Sequence, residues 1–322
     1  MQFRKLGYSD LQLSTIGLGT WAMGGGDWKF GWGPQEDEAS VKAIHAALDA
    51  GINWIDTAPI YGHGHSETVV GKALKGISSS PLIATKCGRV WEGDSKEIGK
   101  SLRAESIRKE VEASLRRLSI EVMDLYQIHW PQPDEQIEEG WGAVADLVKQ
   151  GKIRYGGVSN FNLQQLKRAQ AIHPITSLQP PYSMLRREIE EDVLPFCREN
   201  QIGILAYSPM QAGLLTGKFT AERIANMPQS DWRTKHPLFT EPELSVNLGI
   251  VEELKQIAEQ KGISLPQLAL AWVLRNKELT AAIVGARKPS QIIETAKAGD
   301  IQLNDEEIEQ IEGILAITDD KG

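Results

Sequence analysis

Eight short β-rich runs alternate with helical patterns from one end of the chain to the other, and this alternation constrains the fold more than any other feature. The runs are LSTIGLGT (13–20), INWID (52–56), LIATK (82–86), VMDLYQIH (122–129), IRYGGVSN (153–160), TSLQ (176–179), IGILAYSP (202–209) and AAIVGA (281–286). Several are apolar nearly throughout, as parallel strands covered on both faces must be. Between them, Val41, Ile44 and Leu48 recur at helical spacing, as do Ile107, Val111, Leu115 and Leu118, and Val144, Leu147 and Val148. Gly51 and Gly151 are placed to end helices in left-handed turns, and Asn162 and Asn304 to start them as N-caps. Eight such units predict an α/β fold of the (β/α)₈ TIM-barrel type. The opening FRKLGYSDLQLS predicts an N-terminal β-hairpin that plugs the amino end of the barrel, and the tail after 304 predicts an extra C-terminal helix. Nothing resembling a linker interrupts 1–322, so one domain is expected. The stretch 210–245 is long and irregular, as a functional flap would be.

Composition narrows the function. A net charge of −8 provides no basic footprint for nucleic acid. No apolar run approaches a membrane span, and MQFRKLGYSD has no apolar segment of the secretory kind. Cys87 and Cys197 are the only cysteines, which is no disulfide framework, and a reducing cytoplasmic setting is expected. His63 and His65 lack companions for a metal site, so no metal is expected. The segment Gly17-Leu-Gly19-Thr-Trp-Ala22 matches a dinucleotide fingerprint, but MGGGDWKFGWGP follows where a helix would have to open. A Rossmann site is therefore rejected.

The chemistry gathers at strand ends. Asp56, Tyr61, Lys86 and His129 fall at or just beyond the carboxyl ends of three runs, in NWIDTAPIYG, LIATKCG and LYQIHW. In a barrel those ends face one mouth. An acid, a phenol, an amine and an imidazole there are the parts needed to protonate a carbonyl oxygen. A free phenol is too weak an acid at neutral pH, so Lys86 is expected to lower the pKa of Tyr61, with Asp56 holding Lys86 charged. His129 would position the carbonyl oxygen. Singly, each has an ordinary structural explanation, such as a cap, a core aromatic, a snorkelling lysine or a satisfied histidine. Trp21, Trp91 and Trp130 follow strand ends and can wall an apolar substrate pocket, and Trp28 and Trp32 can lean in from the first loop.

In this order GLGTWAMGG, DTAPIYGHGHSE, ATK, LYQIHWP, GKIRYGGVSNF, LQPPYS, LAYSPMQAGLLTGK and IVGARKPSQIIE resemble the aldo-keto reductases, nearest the bacterial general stress protein 69 branch. The resemblance spans almost the whole chain. It implies a barrel that reduces aldehydes and ketones with NADPH, NADH being the lesser choice, through a tetrad matching Asp56, Tyr61, Lys86 and His129. It also implies cofactor contacts. Ser159, Asn160 and Gln179 would hold the nicotinamide carboxamide, and Tyr207 would stack beneath the ring. Ser208, Pro209, Leu214, Gly217 and Lys218 match a phosphate-binding flap, and Arg233 in SDWRT is expected to reach over the cofactor. Arg287 and Lys288, adjacent cations before a helix at 289–297, suit the 2′-phosphate of NADPH by charge and helix dipole, and Gly285, Gln291 and Glu294 match the same adenosine end, where the family often has arginine at the position of Gln291. Two other readings fit the same barrel: a redox-responsive partner protein like channel β subunits, and a Schiff-base lyase using Lys86. The sequence leaves the oligomeric state open.

Overall fold

The computed structural model describes residues 1–26, 28, 31–77, 80–93, 95, 97–228 and 231–316. The strands are β1 (Phe3–Lys5), β2 (Gln12–Ser14), β3 (Ile16–Gly19), β4 (Trp54–Asp56), β5 (Leu82–Cys87), β6 (Arg89–Val90), β7 (Gly99–Lys100), β8 (Met123–Ile128), β9 (Ile153–Ser159), β10 (Ser177–Gln179), β11 (Gly203–Ala206) and β12 (Leu279–Gly285). Eight of them, β3, β4, β5, β8, β9, β10, β11 and β12, close in that order into a parallel barrel. Each contains or overlaps one of the eight predicted runs. The 13–20 run divides at Thr15, its first part joining the antiparallel hairpin β1–β2 and its second entering the barrel. The hairpin β6–β7 was not anticipated, because two-residue strands carry no apolar run.

The period of two along each strand sorts side chains between lumen and helices. Trp54, Ala84, Leu125, Leu205, Ala281 and Ile283 point inward and pack with Leu6, Leu11 and Leu13 of the hairpin, which plugs that end. Ile55, Ile83, Tyr126, Ile128, Val158 and Leu178 point outward into the helix layer. Trp54 fills the lumen because Gly17 opposite has no side chain. A Cβ there would lie 2.1 Å from the indole.

The helices follow their patterns with small adjustments. Helix Ala104–Leu118 buries Ile107, Val111, Leu115 and Leu118. Helix Asp37–Asp49 buries Ala43, Ile44 and Ala47, while Val41 and Leu48 are only partly covered. The expected stripe is thus rotated toward the two alanines. Gly51 and Gly151 take left-handed conformations (φ 87° and 71°). Asn162 and Asn304 accept from the amides of Gln165 and Glu307, whose side chains accept in return. Helix Asp305–Leu315 follows the last barrel unit. Among the described residues no helix is long and apolar enough to cross a membrane.

Candidate active site

Above the apolar plug the lumen turns polar. Continuing the inward parity two residues beyond Trp54, Ala84 and Leu125 reaches Asp56, Lys86 and Gln127, and two more, just past the end of β8, reaches His129. Lys86 is fully buried, yet its Nζ donates to Asp56 Oδ1 at 2.6 Å, Thr57 O at 2.9 Å and Tyr61 Oη at 3.3 Å. All three ammonium protons thereby have acceptors, which is what a buried charge requires. Asp56 Oδ2 accepts from Gln179 Nε2 at 2.8 Å and Gln127 Nε2 at 3.4 Å. The Tyr61 and His129 rings meet edge to face, with centroids 6.0 Å apart. The four predicted side chains therefore converge.

Burial sets their proton affinities. It pushes the Tyr61 phenol well above its ordinary value, and the Asp56 carboxylate adds to this. The structure here opposes the expected lowering by Lys86, whose charge is offset by Asp56. Burial lowers the Lys86 ammonium, while Asp56 pulls the other way. His129 is held well below its ordinary value by burial, then by the charges of Lys86 and Arg89. At neutral pH the site therefore holds a protonated phenol and a neutral imidazole.

The residues assigned to the carboxamide form a linked set at the ends of β9, β10 and β11. Ser159 Oγ donates to Gln179 O at 2.8 Å, and Asn160 Nδ2 donates to His129 O and Ser159 Oγ, each at 3.0 Å. Tyr207 Oη donates to Asn160 Oδ1 at 2.8 Å, fixing its ring beside the tetrad, and burial raises this phenol to about 12. Asn160 holds a left-handed backbone (φ 63°), as Asn tolerates better than most residues. Gln179 thus touches both the set and the Asp56 carboxylate. The mixed donors and acceptors fit a carboxamide.

The aromatic wall divides. Trp21 and Trp28 pack on Tyr61 with centroids at 5.3 and 6.1 Å. Trp91 lies at the edge of this cluster against His63, at 5.2 Å. Trp130 stands apart, 38 % exposed and under the guanidinium of Arg89.

A profile of the aldo/keto reductase family matches residues 15–316. The chain belongs to the aldo/keto reductase family. Aldo-keto reductase YhdN of Bacillus subtilis is 39% identical over 99% of this chain and 95% of its own length. NADH-specific methylglyoxal reductase of Escherichia coli is 36% identical over 93% and 94%. The glycerol dehydrogenase AKR11B4 from Gluconobacter oxydans superposes with a TM-score of 0.89 at 40% identity, covering 98% of this chain and 95% of that one. This aldo/keto reductase is accordingly an oxidoreductase acting on carbonyl chemistry.

The remaining positions are more scattered. In the segment after β11, Pro209 and Leu214 are buried, Ser208 and Lys218 are exposed, and Gly217 takes φ 69°. Arg233 is clamped by Asp231 (2.7 and 3.0 Å) and bonds Ala212 O at 3.2 Å. On the same segment, Gln211 Nε2 and Trp232 Nε1 are buried without partners among the described residues, which suits a polar ligand. Gly285, at the end of β12, and Lys288 beyond it are exposed, and Glu294 is half-buried. The Arg287 guanidinium is not free. It donates to Gln35 Oε1 at 2.8 Å, Trp32 O at 3.1 Å and Pro34 O, tying the first loop to the end of β12. Gln291 caps its own helix by accepting from the amides of Arg287 (2.8 Å) and Lys288 (3.1 Å). Sequence reasoning passed over Gln127 and Arg89. For Gln127 a signal existed: a polar residue two before His129 on an apolar strand must share its inward face.

Proposed function

We propose that this is a cytoplasmic NADPH-dependent reductase, one domain over 1–322, converting aldehydes and ketones to alcohols with Tyr61 as general acid. The contact chain Asp56–Lys86–Tyr61, with His129 edge-on to the phenol, carries this reading. When bound, the nicotinamide supplies the hydride. Ser159, Asn160 and Gln179 would hold its carboxamide, and Tyr207 would lie against its ring. His129, being neutral, donates a hydrogen bond to the carbonyl oxygen without competing as an acid. Tyr61 keeps its proton until negative charge develops on that oxygen, then gives it up. The phenolate left behind faces the Lys86 ammonium, which stabilises it. With three hydrogen bonds donated from Nζ, Lys86 presents no lone pair to a carbonyl carbon, which counts against a Schiff base.

NADPH is preferred in this reading because Lys288, just beyond β12, and Lys218, in the flap, are exposed cations. Fluorescence titration with NADPH and NADH tests this, and the tighter binding of NADPH is expected. Tyr61→Phe should lower kcat/KM for 4-nitrobenzaldehyde by about 10²–10⁴-fold while NADPH still binds. A variant as fast as the parent would remove Tyr61 from the role of acid.

A further inference from the structure

Eight buried side-chain polar atoms have no hydrogen-bond partner among the described residues. Five belong to segments that follow barrel strands at their carboxyl ends: Trp32 Nε1, His63 Nε2, Arg89 Nη1, Gln211 Nε2 and Trp232 Nε1. Orphan polar atoms concentrated at one mouth, most of them N–H donors, call for an oxygen-bearing ligand. Arg89 is the charged member of the set, and it lies three residues beyond Lys86.

Its guanidinium is held from two sides. Nη2 donates to Gln132 Oε1 at 2.9 Å, and Cζ lies 5.7 Å from the centre of the Trp130 ring. Both partners come from the segment immediately after His129, so the cation is fixed beside the loop that the imidazole begins. It enters no ion pair among the described residues. Elsewhere in the site the charges cancel, since Lys86 is paired with Asp56 and His129 is neutral. Among the described residues Arg89 is thus a positive charge with no ion-pair partner at this part of the mouth, in a protein whose net charge is −8. Such a charge attracts anions into a low-dielectric cleft.

We propose that Arg89 forms a carboxylate subsite, and that preferred substrates are carbonyl compounds bearing a carboxylate remote from the reacting carbon. The carboxylate accepts from Nη1 while the carbonyl oxygen rests at Tyr61 and His129. Nη1 keeps both of its N–H groups unengaged, and one planar cation with such a donor pair matches a carboxylate. His63 stands edge-on to Trp91, which follows Arg89 by two residues. This rests on the carbonyl-reductase reading above.

The test compares 4-carboxybenzaldehyde with its methyl ester, which differ in charge at nearly equal size, in the parent and in Arg89→Met with NADPH. The ratio of kcat/KM for acid over ester should fall about 10–100-fold in the variant, mainly through KM. A structural role for Arg89 would lower both rates together, and an unchanged ratio overturns the proposal. Should Arg89→Met fail to fold, inhibition of the parent answers instead. Benzoate should inhibit ester reduction about tenfold more strongly than benzamide, and equal inhibition overturns the subsite. A parent that reduces neither aldehyde overturns the carbonyl-reductase reading, and the subsite with it. A parent that reduces both, with a ratio indifferent to Arg89, overturns the subsite alone.

Discussion

Strand β5 separates two buried clusters of charge, and they are built differently. On its inner face Lys86 meets Asp56 and Tyr61 at the mouth of the lumen. On its outer face Thr85 Oγ1 donates to Glu67 Oε1 at 2.7 Å, and Arg117 Nε donates to Glu67 Oε2 at 2.7 Å. Just beyond, Glu110 accepts from the Gly88 amide at 2.8 Å and from Ser106 Oγ at 3.0 Å. Glu67 is as fully buried as Lys86. The difference lies in what each cluster faces. The outer one is closed beneath helices His65–Ala73 and Ala104–Leu118, and its acceptors are used up on structure. The inner one ends in a phenol that packs against the indoles of Trp21 and Trp28 at the barrel mouth. Buried charge alone thus marks a network, and the group at its end decides whether the network does chemistry.

The sharpest way to break this comparison is to remove the lysine. Lys86→Met should cut kcat/KM for aldehyde reduction by about 10²–10⁴-fold, the range of a general acid deprived of support. It should also destabilise the fold by about 3–5 kcal/mol, because Asp56 loses its cation while still buried. Steady-state rates and urea unfolding check the two arms. Activity near that of the parent would make the inner cluster structural, like the outer one.

Much of the inner cluster is legible in the chain, because strand parity and strand ends are local properties. INWID, LIATK and LYQIH each place their last inward residue at the same mouth, so Asp56, Lys86 and His129 can be grouped before any fold is known. The outer cluster is not legible in that way. Glu67 lies in DTAPIYGHGHSE, and nothing nearby indicates that Arg117, 50 residues on, will reach it. Arg287 is a stronger case. Beside Lys288 it reads as a phosphate ligand, but its guanidinium is taken by Trp32, Pro34 and Gln35, more than 250 residues away. The lowered phenol pKa failed for a related reason. Burial of Tyr61 depends on Trp21, Trp28 and the whole barrel mouth, and it outweighs the neighbouring ammonium.

Glu67→Ala sharpens the comparison from the other side. It removes the acceptor of Thr85 and Arg117, and should cost about 3 kcal/mol of stability. Arg117 is 23 % exposed and can regain water, which keeps the cost at the low end. The rate of aldehyde reduction at a temperature where the variant is folded should stay within about threefold of the parent. A loss comparable with that of Lys86→Met would mean that the two faces of β5 act as one unit.

The smallest effect concerns Glu110 and turns on pH. Burial raises its carboxyl to about 7, against hydrogen bonds from Gly88 and Ser106 and the charge of Arg117, which lower it, and with the charge of Glu67, which raises it. The folded state therefore binds this proton more tightly than the unfolded chain, whose value is the ordinary 4.5. Its stabilising contribution is complete below 4.5 and disappears as the pH rises through 7. Ionising this half-buried group then costs up to about 3 kcal/mol. Glu110→Gln stays neutral at every pH, and its amide can still accept from Gly88 and donate to Ser106. Measured by urea unfolding, the stability of the variant relative to the parent should rise between pH 5 and pH 8, approaching that amount. Other titrating groups are common to both proteins and cancel in the difference. A difference that stays flat with pH would show that Glu110 ionises as freely as a solvated carboxylate, and the outer cluster would then be open to water rather than closed beneath its helices.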